Sequence, residues 1–253
     1  MLKALHRLTG EMYHVKGILT PTDYRRWRMN LLTRLPSVLE RRSLGPVDEA
    51  FGDTFAIRKN GRLLRLQRTS FGVVREIFGQ ECYCPAAELG SCRQILDLGA
   101  NAGVFGLFAL MAAPDATVHM VEAQAALLAV LQGNVGRNGY ADRVRTENAL
   151  VGGAQNDWAT QLRQQNPALP DFSIRTYLDG VGECDFLKCD IEGAEYTFFS
   201  GEVGWLRQVR RLALEYHGTW EQGSALGRIL DKNGFEVRQA NHGALGYLFA
   251  TRK

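Results

Sequence analysis

Ile95-Leu96-Asp97-Leu98-Gly99-Ala100-Asn101-Ala102-Gly103-Val104-Phe105-Gly106 decides how the rest of the chain is read. Ile95 to Leu98 form a short buried strand whose carboxyl end carries Asp97. Gly99 and Gly103 bracket a tight turn in which a backbone without Cβ approaches a ligand closely. From Val104 onward the apolar positions, Phe105, Phe108 and Met111 among them, recur at helical spacing. In open α/β sheets a strand, turn and helix of this kind build the ligand crevice at the strand ends.

Working outward, 253 residues suit one large domain, or one domain with an extension. Apolar residues at 45% and charged residues at 23% describe an ordinary globular composition. No apolar run approaches the ~20 residues of a membrane span. Lys3, Arg7, Glu11 and Lys16 interrupt the first twenty residues, leaving no signal-peptide apolar region, so a soluble cytoplasmic protein is expected. The five cysteines, Cys82, Cys84, Cys92, Cys184 and Cys189, are odd in number and one lies in an apolar segment. Reduced thiols are therefore expected, and no second Cys pair completes a zinc site with Cys82 and Cys84. The net charge of +3 is unevenly spread, with +9 over residues 1–75 and −6 over the remainder. A basic leading segment suits either a solvated helical face or an anionic partner.

Three regions follow in order. Residues 1–46 read as a helical extension: Thr20-Pro21-Thr22-Asp23 is helix-start chemistry, and Trp27, Leu31, Leu32, Leu35 and Leu39 form a stripe that Pro36 should end or kink. Residues 47–92 read as a small β-rich cap, with a hairpin turning at Asn60-Gly61 and a short helix from Phe71 to Phe78. From residue 93 to 253, strands and helices alternate. Strands are expected at Thr117–Val121, Val144–Ala149, Asp185–Asp190 and Arg211–Glu215, with a final pair at Phe235–Val237 and Leu245–Ala250. An extra strand is expected at Ser173–Leu178, after an irregular stretch around Trp158. Thr219 and Gln222 form a capping box for the helix carrying Leu226 and Leu230. Such alternation gives a doubly wound, mostly parallel α/β sheet with helices on both faces, closed by one antiparallel strand.

The turn does not match a dinucleotide site, because the middle glycine of G-x-G-x-x-G is missing from Gly99-Ala100-Asn101-Ala102-Gly103. No P-loop closes on Gly-Lys-Ser/Thr either. A phosphate-free adenosyl cofactor, S-adenosylmethionine, suits the residue types instead. Asp97 is placed for the cationic methionyl end, directly or through water. Glu122, ending the second strand, is placed to accept both ribose hydroxyls. Asn148, ending the third, is placed for the adenine edge, and Ala123 and Ala149 are small enough to lie against a flat base.

At this point Ile95 to Gly103, Val121-Glu122, Leu128 to Asn134, Asn138, and above all Asp185-Phe-Leu-Lys-Cys-Asp-Ile-Glu-Gly-Ala-Glu195 resemble the FkbM-type S-adenosylmethionine-dependent methyltransferases. Leu214-Glu215-Tyr216-His217 resembles that family's Glu-x-His strand end. The resemblance covers residues 93–240 and implies a Rossmann-like seven-stranded class I methyltransferase sheet. Through the shared turn it also implies cofactor contacts at Gly99, Ala100, Asn101 and Gly103. One departure is Glu122-Ala123-Gln124, where the family usually has a proline. The implied activity is O-methylation of a hydroxyl on a sugar, glycan or secondary metabolite.

An alcohol is a poor nucleophile, and a positioned base typically contributes ~10²–10⁴-fold. His217, at the end of the fifth strand with a reference pKa near neutral, is the first candidate base. Asp190 and Glu192 are the other catalytic candidates, with Glu195 beside them and equally a candidate cap of the next helix. Asp190, Glu192, Glu215 and His217 also offer an oxygen-rich set of the kind that holds Mg²⁺, although no metal is assigned to them. The expected partner is a small-molecule or glycan acceptor. Two rival readings remain: a nucleotide-cofactor oxidoreductase, disfavoured by the missing glycine, and a nucleic-acid modifier using the basic segment. The chain lacks the Asn/Asp-Pro-Pro-aromatic motif that recognises base amines, which disfavours the second.

Overall fold

The computed structural model describes residues 2–59, 61–153, 156–242 and 245–253. Its contacts divide the chain into two units, residues 1–82 with 136–139 and residues 83–135 with 140–253.

In the first unit, α1 (Leu2–Ile18), α2 (Pro21–Arg41) and α3 (Gly45–Phe51) precede the hairpin β1 (Phe55–Lys59) and β2 (Arg62–Leu66), followed by α4 (Phe71–Val74) and a π-turn, Arg75–Gly79. Phe55 pairs with Leu66 and Lys59 with Arg62, the hairpin read from sequence. Of its turn, Asn60 lies outside the described residues. Thr20 caps α2 by accepting from the Asp23 N–H, as its chemistry requires. Pro36 does not end α2, which runs on to Arg41. The proline sits on the exposed face, where solvent can satisfy the carbonyl its ring leaves unbonded. The apolar stripe is only partly buried: Trp27, Leu31 and Val38 are inside, whereas Leu32 and Leu39 are exposed. A buried Arg75 is held by Glu11 at 2.8 Å and Asp48 at 3.3 Å.

The second unit contains α5 (Ala86–Leu89), β3 (Gln94–Leu98), α6 (Val104–Ala112), β4 (Thr117–Val121), most of α7 (Ala125–Arg137), β5 (Val144–Glu147), α8 (Asp157–Gln165) and α9 (Ile174–Val181). These are followed by β6 (Cys184–Cys189), α10 (Glu195–Ser200), β7 (Val209–Tyr216), α11 (Trp220–Lys232), β8 (Phe235–His242) and β9 (Leu245–Arg252). Its seven-stranded sheet has the order β5-β4-β3-β6-β7-β9-β8. Strands β3 to β7 are parallel to one another, and β9 is antiparallel to both β7 and β8. This is the doubly wound α/β sheet expected from the alternation. The chain order reverses between β3 and β6, which makes their carboxyl ends the switch point where such sheets bind ligands.

Two local expectations are corrected. Ser173–Leu178 is the start of helix α9 and not a strand: the Ser173 hydroxyl accepts from the Thr176 N–H, and Ile174 and Leu178 bury one face at four-residue spacing. The stretch around Trp158 is helix α8, which Asn156 caps by accepting from the Ala159 N–H. The Thr219–Gln222 capping box is present on α11. None of the five cysteines forms a disulfide. Among the described residues no helix is long and apolar enough to cross a membrane.

Candidate functional site

The carboxyl ends of β3, β4, β5 and β6 surround a crevice. Its walls include Gly99, Asn101, Glu122, Ala123, Ala149, Asp190 and Glu192, so seven of the candidates from sequence share one cavity. Trp158, Gln124 and Leu127 line it too, without a signal in the sequence that singled them out.

The glycine turn is shaped by its contact with β6. Gly99 has φ +73°, and a Cβ there would stand 1.7 Å from the Asp190 carbonyl oxygen, so no other residue fits. Gly103, also left-handed at φ +82°, precedes α6, and a Cβ there would meet Leu131 at 2.9 Å. Between them Ala100 is buried and Asn101 is exposed with φ +50°. The Asn101 side-chain oxygen accepts from the Ala102 N–H at 2.7 Å.

Glu122 is 5% exposed, and its two oxygens accept from the Asn101 and Gln124 backbone N–H groups, each at 2.8 Å. Burial raises its pKa, and these two N–H bonds oppose the rise. Each oxygen keeps a further lone pair. Asn148 donates from Nδ2 to the carbonyls of Glu122 and Ala123, both at 2.9 Å, and so braces the β4 end. Ala149 is buried against the crevice.

Asp97 is wholly buried behind the turn, away from the crevice walls, with Lys188 Nζ 3.2 Å from its Oδ1. The two residues are cross-strand partners in the register of β3 and β6. Lys188 also donates to the Gly99 carbonyl at 2.7 Å and lies 3.7 Å from Asp190. Burial pushes Asp97 up while the lysine pulls it back. The two acids hold Lys188 protonated against the same burial. A lysine inside an otherwise apolar strand was the sequence signal for this pair, since a buried ammonium requires a carboxylate.

The β6 exit, Asp190-Ile191-Glu192-Gly193, is strained: Glu192 has φ +55° and Gly193 +93°. A non-glycine residue in this region costs of order 1–3 kcal/mol and persists where its surroundings enforce it, typically at functional sites. Enforcement comes from Glu195, which is wholly buried and whose Oε1 accepts from the Ile191 and Gly193 N–H groups at 3.2 and 3.1 Å. The same oxygen lies 3.1 Å from His217 Nδ1. Glu195 thus clamps the turn and orients the imidazole, a role distinct from both the catalytic and the helix-cap readings of it from sequence. With Nδ1–H given to Glu195, His217 presents Nε2, 3.5 Å from Glu192. The hydrogen bond to Glu195, assisted by the charges of Glu195, Asp190 and Glu192, raises His217 to about 9.

Asp190, Glu192 and His217 bring one potential ligand atom each within 4.8 Å of one another, the only such group among the described residues. Glu215, the fourth residue of the candidate metal set, turns instead to Tyr83, whose hydroxyl lies 2.7 Å away. Tyr83, which lies between Cys82 and Cys84, is a second residue that sequence reasoning missed.

Comparison with known proteins places the middle of the chain. Residues 97–237 match the Methyltransferase FkbM domain. The chain is 41% identical over 71 residues to 31-O-demethyl-FK506 methyltransferase FkbM of Streptomyces tacrolimicus, covering 28% of this chain and 27% of that protein. It is 32% identical to AMB antimetabolite synthetase AmbE of Pseudomonas aeruginosa, over 69% of this chain and 11% of that protein. The chain therefore spans only a small part of either relative. A solved precorrin-6y C5,15-methyltransferase from Geobacter metallireducens is similar at TM-score 0.47 and 13% identity, covering 69% of this chain and 89% of that one.

Proposed function

The chain belongs to the FkbM methyltransferase domain family, and on that premise we propose that it methylates a hydroxyl oxygen of a sugar, glycan or other small metabolite. Its cofactor is S-adenosylmethionine, which when bound supplies an activated methyl group on a sulfonium. The observation that carries the reading is the Glu195–His217 pair at the β6 and β7 ends, beside Asp190 and Glu192 of the crevice wall.

The residues present fit that cofactor. Glu122 offers two carboxylate lone pairs for a vicinal diol, and nothing in the glycine turn is built for a phosphate. Ala123 and Ala149 leave room for a flat base, with Asn148 holding the β4 end in place. Asn101 and the Gly99 backbone form the wall nearest β3, and Ala100 and Gly103 set its shape. Asp97 acts through Lys188, fixing the Gly99 carbonyl.

His217 is the base. Glu195 fixes the tautomer, so that Nε2 can take the acceptor's proton, and stabilises the imidazolium that results. Asp190 and Glu192 orient the acceptor hydroxyl. This leaves Nε2 free of a metal, so dialysis against a chelator leaves turnover intact; loss restored by Mg²⁺ would reassign it as a ligand.

The test is transfer of labelled methyl from S-adenosylmethionine to a panel of glycans and metabolite extracts, with RNA and DNA as further acceptors. Label in a carbohydrate or metabolite hydroxyl supports the proposal, and label in nucleic acid alone overturns it. Calorimetry showing NAD(P) binding without S-adenosylmethionine binding would return the chain to the oxidoreductases.

A further inference from the structure

Below the crevice rim, Tyr83 Oη lies 2.7 Å from Glu215 Oε2 and 3.1 Å from Asp190 Oδ2. A phenol carries one hydrogen and donates it to one oxygen at a time. With both carboxyls ionised, one of these contacts would set lone pairs against lone pairs at short range. Both become hydrogen bonds only when one carboxyl keeps its own proton.

Surroundings decide which one. Asp190 has the Lys188 ammonium 3.7 Å from the same Oδ2, which favours its ionised form. Glu215 is 7% exposed and makes no ion pair among the described residues. The groups facing it are Tyr83, Asp190 and Lys188, His217 along its own strand, and Tyr247, its cross-strand partner on β9. The phenol itself is fixed. Its ring meets Phe105 and Tyr247 edge-on, with centroids 5.6 and 5.9 Å away, and Lys188 Nζ lies 5.4 Å from its centre.

We propose that Tyr83 and Glu215 form a proton-holding pair: Glu215 is kept as the carboxylic acid and donates to Tyr83, and Tyr83 donates to Asp190. Asp190 then meets the crevice as a carboxylate, and Tyr83 is a positioning residue for it. Burial, with the charge of Asp190, pushes Glu215 up to about 7, in the direction this arrangement requires. Tyr83 precedes the segment that matches the family, so family membership does not bring this residue to the site. The consequence for turnover rests on the methyltransferase reading; the position of the proton does not.

Carboxyl ¹³C NMR of the whole chain tests it, with Glu215→Gln and Asp190→Asn assigning the two signals. Glu215 is expected to ionise near neutrality. Tyr83→Phe keeps the ring and removes only the hydroxyl that accepts the Glu215 proton, and should move the Glu215 titration downward by about one pH unit, the worth of one hydrogen bond. A Glu215 titration unmoved or raised by Tyr83→Phe, or a Glu215 that ionises as an ordinary glutamate, overturns the proposal. On the same samples, Tyr83→Phe should lower kcat about tenfold at neutral pH while the KM for S-adenosylmethionine stays within about twofold. Glu215→Gln, which still donates to the phenol, should retain more activity than Glu215→Ala; equal losses count against the pair. If the wild-type protein neither binds nor uses S-adenosylmethionine, the methyltransferase reading fails, and the titrations still locate the proton.

Discussion

His217 owes its chemistry to one atom of another residue. Glu195 Oε1 serves the imidazole and two backbone N–H groups of the strained turn at once, so replacing either partner disturbs the site differently. His217→Ala removes the base and should lower kcat by ~10²–10⁴-fold with S-adenosylmethionine affinity largely kept; an unchanged kcat excludes the role. Glu195→Gln keeps an acceptor for Nδ1–H but removes its charge. Because that bond is the first cause of the rise to about 9, the pH–rate profile, which climbs as His217 deprotonates, should climb at lower pH in the variant. A profile that stays in place would mean that His217 does not limit turnover. Glu122→Ala should instead weaken cofactor binding measured by calorimetry, with little effect on the saturated rate, because its carboxylate is not among the groups acting on His217.

At the scale of elements, the switch point is held by what passes between β3 and β6. Gly99 meets the Asp190 carbonyl too closely for any Cβ, and Lys188 bridges Asp97, Asp190 and the Gly99 carbonyl. Lys188→Met leaves Asp97 buried without its cation, which should cost about 3–5 kcal/mol in urea unfolding. Joined to Asp97→Leu, the same change should recover most of that loss, since an apolar pair of similar size replaces an ion pair at little cost. A double variant no more stable than the single would mean that the bridge to Gly99 and Asp190 dominates. The two strands and the glycine turn were legible from apolar runs and from Gly99 and Gly103, because local pattern determines them. Glu122, Asp190, Glu192 and His217 were legible as polar residues ending successive strands. The Glu195–His217 pair, the Tyr83 bridge and the Lys188 tie were not, because each joins residues 22, 132 or 89 positions apart. Helix α9 was misread as a strand because Ile174 and Leu178, four positions apart, share a face in either period over so short a run. Ser173 as a cap decides it.

At the scale of the whole molecule, its buried acids give stability a pH dependence of definite sign. In the first unit Asp48 is raised to about 6, chiefly by burial, and in the second Glu215 is raised to about 7 and His217 to about 9. Asp97 and Glu122 are raised as well. Each of these groups binds its proton more tightly folded than unfolded. Its contribution is complete below the unfolded value and is lost as pH climbs through the folded one. His119 runs the other way: burial lowers it, so its contribution grows as pH rises toward its ordinary value. From pH 5 to pH 9 these five raised groups outweigh His119, and the slope is negative. Unfolding free energies from urea titrations should therefore fall steadily from about pH 5 to about pH 9, by several kcal/mol overall, since each tenfold gain in proton affinity on folding is worth ~1.4 kcal/mol. Fluorescence and circular dichroism should be followed together, because two units need not unfold in one transition. Glu215→Gln removes the proton that leaves near neutrality, so the decline around pH 7 should flatten in that variant alone. A wild-type stability that is highest near pH 8 would show that these acids do not keep their protons in the folded chain.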